Sequence, residues 1–196
     1  MGMEYELKFR ANAAVLTAIA TEYSQYPCNQ FEMETTYYDT PSGKLSARRY
    51  TLRRRMENDK SICTLKTPAV GFGRNETELE CNSIEDAIPV LCAIGAPEDF
   101  GTLVQEGVVA VCGAKFHRTA ITIDSEDCTL ELALDTGVLS GGGQTMPLCE
   151  VEVELKRGEK SSADLFAQIL ANKFDLLPEK YSKFRRASAL YKGENL

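Results

Sequence analysis

The sequence predicts an α+β domain made mainly of antiparallel strands, with a few helices set between them. Three observations predict it. Apolar and polar residues alternate with period two over many separate segments. Turn-forming residues break those segments at short intervals. Between them lie stretches whose apolar residues recur at helical spacing. At 196 residues the chain can bury a sizeable core, and residues 1–196 read as one domain, with no low-complexity linker or tandem repeat.

The first strand runs from Met3 to Arg10, with Glu4, Glu6, Lys8 and Arg10 on one face and Tyr5, Leu7 and Phe9 on the other. The Ala-rich stretch Ala11 to Ser24, with Val15 and Ile19 spaced for one face, predicts a helix opening near Asn12. Glu32 to Tyr38 reads as a strand, and Asp39 to Gly43 as a turn on its Asp, Pro, Ser and Gly. Tyr50 to Glu57 and Lys60 to Thr67 form a hairpin across Asn58-Asp59, and Pro68 to Gly73 is a loop. Arg74 to Cys81 is a further strand. Ile84 to Ile94 is expected as a helix interrupted or kinked at Pro89, followed by a second from Pro97 to about Gln105. Val108 to Asp124, Cys128 to Asp135 and Pro147 to Lys156 are strands, with Gly137 to Met146 expected as a hairpin loop. Ser161 or Ser162 is expected to cap a helix reaching about Asn172, with Asp164 in its first turn, and a last helix spans about Glu179 to Tyr191.

Composition removes several function classes. A net charge of -7 argues against a nucleic-acid binder, which is usually basic. The seven cysteines have no CxxC or Cys/His zinc spacing, and read as free thiols of a reducing compartment. His117 is the single histidine, which leaves little room for a His-based metal centre or a Ser-His-Asp triad. The opening residues lack the apolar run of a signal peptide, and no apolar stretch approaches the ~18 residues of a membrane span. The expected location is therefore the cytoplasm. Gly141-Gly142-Gly143 is followed by Gln144-Thr145, so it lacks the Gly-Lys-Ser/Thr ending of a P-loop and reads as a turn.

Sorting the strands by parity leaves a consistent apolar face, which helices can cover, and a second face crowded with both signs of charge. Glu4, Glu6 and Lys8 share that face, as do Arg53 and Arg55, then Lys66, then Arg74, Glu76 and Glu78, then Glu131 and Asp135, then Glu150, Glu152 and Glu154. One solvated face is the ordinary condition of an antiparallel sheet. Carboxylates only ~7 Å apart on one strand face repel, however, and an ordinary surface gains nothing from such sets. A closed barrel would bring the sets together. Its carboxylates could share a hard divalent cation, and its arginines and lysines could meet phosphate oxygens. That combination suits a triphosphate bound together with metal. His117 and Arg54 have the opposite parity and read as a structural histidine and a surface charge.

Several segments resemble, in order and over nearly the whole chain, the CYTH or triphosphate tunnel metalloenzyme superfamily. Glu4-Tyr5-Glu6-Leu7-Lys8 matches its ExExK signature. Tyr37-Tyr38-Asp39-Thr40-Pro41 with Leu52-Arg53-Arg54-Arg55 resembles its YFDTP…LRxR segment, and Thr64-Leu65-Lys66 its TLK. Arg74 to Glu78, Leu134-Asp135-Thr136-Gly137, Cys149 to Glu154 and Ser182-Lys183 resemble its later motifs. The resemblance implies an α+β fold with an eight-stranded antiparallel β-barrel, the triphosphate tunnel, and flanking helices. It implies Lys8, Arg53, Arg55, Lys66, Arg118 and Lys183 on the triphosphate, and Glu4, Glu6, Glu76, Glu78, Asp135, Glu150 and Glu152 on Mg²⁺ or Mn²⁺. Glu4, Glu6 and Lys8 would be catalytic, and the helix bearing Lys183 would lie over one tunnel mouth. Family members often carry two basic residues two apart near Arg118, whereas Phe116 and Ala120 stand there in this sequence. Lys115 could substitute only through a bulge.

Within the superfamily the layout looks most like the bacterial inorganic triphosphatases, which implies hydrolysis of inorganic triphosphate to diphosphate and phosphate. The alternatives are a class IV adenylate cyclase, a nucleoside or thiamine triphosphatase, or a non-catalytic polyphosphate-binding module. The expected partner is a triphosphate-bearing small molecule, with no nucleic acid and no membrane, and a homodimer stays open. Arg185 and Arg186 read as surface residues, with a phosphate contact from one of them as the alternative.

Overall fold

A computed structural model describes the backbone of residues 2–69 and 73–196, and the side chains from Tyr5 onward outside 70–72. The strands are β1 (Gly2–Glu4), β2 (Glu6–Arg10), β3 (Cys28–Asp39), β4 (Thr51–Glu57), β5 (Lys60–Pro68), β6 (Arg74–Glu80), β7 (Val109–Asp124), β8 (Thr129–Gly141), β9 (Gln144–Arg157) and β10 (Leu177–Pro178). The helices are α1 (Ala13–Glu22), α2 (Lys44–Ala47), α3 (Ile84–Ile94), α4 (Phe100–Leu103) with a 3₁₀ turn at Val104–Glu106, α5 (Lys160–Phe174) and α6 (Lys183–Lys192). All the strands belong to one sheet in the order β1-β6-β5-β4-β3-β7-β8-β9-β2-β10, and every neighbouring pair is antiparallel.

The α+β class and the flanking helices hold, but the sheet is not closed into an eight-stranded barrel. The expected first strand is split at Tyr5. Gly2–Glu4 pairs with β6, whereas Glu6–Arg10 pairs with β9, so one short segment of chain joins the two flanks of the sheet. The Tyr5 carbonyl still accepts from the Leu155 amide at 2.9 Å, and its hydroxyl donates to Asp164.

The long hairpin of β8 and β9 corrects a second expectation. Gly137 to Gly141 and Gln144 to Met146 are strand, and only Gly142 and Gly143 turn. Both have positive φ, +57° and +74°, as a tight two-residue hairpin whose twist matches its strands requires. A glycine-rich run therefore marked a tight turn rather than a long loop. The α5 expectation also changes: Glu159, with no side-chain cap bond, precedes Lys160–Phe174, and Asp164 lies in the second turn, paired with Lys160 at 2.7 Å. Residues 179–182 are not helical, and α6 starts at Lys183 with Ser182 Oγ capping the Arg185 amide at 3.1 Å. The α1 cap at Asn12 is as expected, with Oδ1 accepting from the Val15 amide. Helix α3 runs through Pro89 without interruption.

Apolar residues on the outer face of β2 and β7–β9 (Phe9, Ile121, Leu132, Val151, Val153) pack under α1 and α5, which supply Ile19 and Leu170. Leu52, Cys63 and Leu65 of β4 and β5 pack under α3 and α4. The third cluster lies on the opposite face: Met33, Tyr37, Phe116, Leu139 and Leu148 meet α6 through Ala187, Phe184 and Leu190. Helix α6 thus covers an apolar end of the face that elsewhere carries the charges. Its approach is close, because a Cβ at Gly141 would stand 2.4 Å from the Ala187 carbonyl oxygen.

Candidate active site

Strand parity delivers the charged face as one site. A cavity of about 410 Å³ opens there, lined by Glu6 and Lys8 of β2, Arg53 and Arg55 of β4, Lys66 of β5, Glu76 and Glu78 of β6, Arg118 of β7, Glu152 of β9 and Lys183 at the start of α6. All these residues were expected at the site from sequence. Asp135 and Glu150 do not line the cavity; they are fully buried beside Glu152. The backbone of Glu4 pairs with Arg74, and its side chain lies outside the described residues.

The register explains the grouping. Glu6 faces Glu154, and Lys8 faces Glu152, across β2 and β9; Arg118 faces Asp135, which in turn faces Glu150, across β7, β8 and β9. The only shift in the β3–β7 pairing falls at Tyr37/Tyr38, away from residue 115. Arg118 therefore points into the cavity, while Lys115 is exposed and pairs with Glu34 at 3.6 Å. His117 is on the outer face, between Gln30 and Glu32.

At the α6 end the charges form a closed lattice. Arg118 makes a two-pronged contact with Asp135 at 2.8 and 2.7 Å and reaches Glu152 at 2.5 Å. Lys183 Nζ touches Asp135 at 2.7 Å, Glu152 at 2.9 Å and also Glu150. Arg186 contacts Glu150 and lies 3.8 Å from Glu179. Glu179 takes a 3.0 Å bond from Arg10, and its amide donates to the Lys8 carbonyl at 2.8 Å, which ties the lead-in of α6 to β2. Burial alone would lower the Lys183 pKa, but Glu152, Asp135 and Glu150 hold it well above the usual lysine value. Arg118 is raised in the same way: Glu152 and Asp135 outweigh its desolvation. Burial would raise Glu152, yet Lys183, Arg118 and Lys8 hold it well below the ordinary carboxylate range. Glu150 goes the other way, pushed up by burial, with Glu152 adding to the rise against Lys183 and Arg186.

On the β4–β6 wall, Arg53 reaches Glu76 at 3.4 Å, Lys66 reaches it at 3.5 Å among further contacts, and Arg55 pairs with Glu57. Among the described residues, the buried Nε–H groups of Arg53 and Arg55 have no acceptor, and neither has that of Arg186 at the other end. Burial and the neighbouring Arg53 lower the Arg55 pKa, against Glu57. On β2, burial would lower Lys8, but Glu6, 2.5 Å away, and Glu152 raise it.

Sequence reasoning missed some of the site. Arg186, expected at the surface, is buried; its place three residues after Lys183 on one helical face was the available signal. Lys156 lines the cavity and pairs with Glu154 at 2.7 Å and Glu131 at 3.6 Å, as its parity with Glu154 would have predicted. An apolar flank of Phe31, Met33, Phe116 and Phe184 also lines the cavity.

Comparison with known proteins matches residues 2–188 to the CYTH domain. The chain belongs to the CYTH domain family. An inorganic triphosphatase of Haemophilus influenzae is 27% identical over 199 residues, covering 97% of this chain and 55% of that protein. The chain thus spans about half the length of this curated relative. Among solved structures, a Hippeastrum protein described as a candidate adenylyl cyclase with a dominant triphosphatase activity superposes with a TM-score of 0.69 at 19% identity, over 99% of this chain and 98% of that one. A candidate adenylate cyclase from Bacillus halodurans gives 0.60 at 15% identity, over 94% and 96%. At these identities the two structures bear on the fold, and they share it with this CYTH domain.

Proposed function

We propose that this CYTH domain hydrolyses inorganic triphosphate to diphosphate and phosphate in a reaction that depends on a divalent metal. The observation that carries the reading is that, among the described residues, the buried Nε–H groups of the two such arginines that line this cation-ringed cavity, Arg53 and Arg55, have no acceptor. Buried orphan donors are rare in native structures, and a chain of phosphates supplies acceptors on every side. The name of the Haemophilus influenzae relative supports the same substrate.

Lys8, Arg53, Arg55, Lys66, Arg118 and Lys183 are assigned to the phosphates, with the guanidiniums offering two-pronged contacts and the lysines point charges. Glu4, Glu6, Glu76, Glu78, Asp135, Glu150 and Glu152 are assigned to Mg²⁺ or Mn²⁺. The donor chemistry suits such ions, since carboxylate oxygens are hard ligands, and Asp135, Glu150 and Glu152 each bring an oxygen within 4.8 Å of the others. A bound ion supplies Lewis acidity and a water of lowered pKa. The chain's own part is positioning and neutralisation: cations on facing walls hold the phosphates in line and stabilise charge on the departing diphosphate. Glu6, with Glu4 before it and Lys8 beside it, orients the attacking water.

A second reading rests on the apolar flank. Phe31, Met33, Phe116 and Phe184 could seat the ring of an organic triphosphate, as in a nucleoside or thiamine triphosphatase or an adenylate cyclase. The test is product release from inorganic triphosphate, ATP and thiamine triphosphate, with Mg²⁺, Mn²⁺ or EDTA. Fast, metal-dependent phosphate release from inorganic triphosphate is expected. Cyclic AMP and diphosphate from ATP would replace the reading with a cyclase. No turnover, but a raised melting temperature with triphosphate, would leave a binding module.

A further inference from the structure

The acidic cluster assigned to metal already holds a cation of its own. Asp135, Glu150 and Glu152 bring three carboxylates together, and the Lys183 ammonium touches all three. Arg118 and Arg186 supply two more positive charges. Counting the three carboxylates and the three cations that touch them, the cluster is neutral at neutral pH, and the buried Glu179 beyond Arg186 is balanced by Arg10. A divalent ion added to it would leave a buried surplus of two positive charges and would need the space the ammonium fills, both strongly unfavourable at low dielectric.

The three cations differ in what they can do. Arg186 does not line the cavity, and its other neighbour is the buried Glu179. Arg118 is fixed by its two-pronged bond to Asp135. Lys183 lines the cavity on a flexible stem at the first position of α6, so its ammonium can turn from carboxylate oxygens to phosphate oxygens without moving the helix. Once it turns, the lattice carries a net charge of -1 with three carboxylates facing one space.

We propose that Lys183 is an internal counter-ion that closes the Asp135–Glu150–Glu152 cluster to divalent metal until a triphosphate draws its ammonium into the cavity. The inference rests on the triphosphatase reading and adds the regulation of its metal site. Metal and triphosphate then favour each other's binding by the same factor, as linkage requires.

The experiment measures Mn²⁺ binding by electron paramagnetic resonance, without triphosphate, on the wild-type chain, Lys183→Met and Lys183→Arg. Lys183→Met is expected to bind Mn²⁺ at least tenfold more tightly than wild type, and Lys183→Arg to stay as weak as wild type. Equal affinity in wild type and Lys183→Met overturns the proposal. Should Lys183→Met fail to fold, the wild type decides by ¹⁵N-lysine NMR. The Lys183 ammonium resonance is expected to shift when inorganic triphosphate is added in EDTA, and an unmoved resonance overturns the proposal. Wild-type turnover of inorganic triphosphate alongside equal Mn²⁺ affinities removes the counter-ion role alone. Absence of metal-dependent turnover of any triphosphate removes the functional reading instead.

Discussion

The two ends of the cavity carry the same residue types and treat them in different ways. At the α6 end, Arg118, Lys183 and Arg186 are each held by buried carboxylates at short range. On the β4–β6 wall, Arg53 reaches Glu76 at 3.4 Å, and among the described residues the Nε–H groups of Arg53 and Arg55 have no acceptor; at the α6 end the Nε–H of Arg186 is likewise without one, although its other nitrogens are paired. Short-range pairing fixes geometry, whereas a buried donor without a partner is free to meet a ligand. On the proposed function, the α6 end combines structural pairing with two of the phosphate cations, Arg118 and Lys183, whereas the arginines of the β4–β6 wall are less tightly committed before substrate binds, although similar runs of charge make up both ends.

The largest expected effect is at the α6 end. Asp135→Ala leaves Arg118 and Lys183 short of a buried partner, and removing one member of a buried ion pair costs about 3–5 kcal/mol. Urea unfolding should show that loss; a change under about 1 kcal/mol would mean the lattice is not what holds α6 in place. At the other end, Arg53→Met and Arg55→Met should lower kcat/KM for inorganic triphosphate by about 10²–10³ each, the range seen on removing one transition-state donor. Their melting temperatures should fall less than that of Asp135→Ala, because each loses one glutamate contact but also removes a buried N–H that has no acceptor among the described residues. If these variants melt earlier than Asp135→Ala and still turn over normally, the two walls have been assigned the wrong way round.

Acid sharpens the comparison within the lattice itself. Glu152 is held well below the ordinary carboxylate value of 4.5, mainly by Lys183 and Arg118 against its burial. A depressed folded-state value contributes stability above the unfolded value and loses it as pH falls through the folded one. Glu150, raised by burial, has the opposite sign: its ionised form costs stability above about 4.5, a cost that acid relieves. Melting temperatures followed from pH 6 to pH 3 should therefore fall less steeply for Glu152→Gln than for wild type, and more steeply for Glu150→Gln. Parallel curves in all three proteins would show that neither carboxylate's titration sets the acid response.

Much of this was legible in the chain because period-two alternation reports which residues share a face. Every described residue expected on the phosphates, from Lys8 to Lys183, lines the cavity. Alternation cannot report what a face meets. It places Asp135 and Glu150 on the face of Glu152, but not under α6, whose docking depends on a close approach at Gly141 that no local pattern announces. Arg186 looked solvated because the run from Lys180 to Arg186 is charged, and only tertiary packing buries it. The split at Tyr5 was invisible for a related reason: an unbroken alternation does not show that a strand changes partners from β6 to β9 halfway along. Turn length between β8 and β9 was misjudged because glycines signal positive φ, not the number of residues that turn.

The smallest expected effect tests the face assignment directly. His117 stands one residue before Arg118, so any slip of β7 by one position would exchange their roles. In the structure its ring is on the outer face, partly exposed, with Nδ1 2.9 Å from Glu32 and Nε2 beside Gln30. Hydrogen bonds of this kind at an exposed sheet surface contribute little, and a substitution there normally changes stability by less than about 0.5 kcal/mol. His117→Gln should accordingly leave urea stability and triphosphate turnover within error of wild type, while Arg118→Gln, one step along the same strand, should lower both. A loss of activity in His117→Gln comparable to that in Arg118→Gln would place the histidine inside the cavity, and would undo the register on which the whole charged face is built.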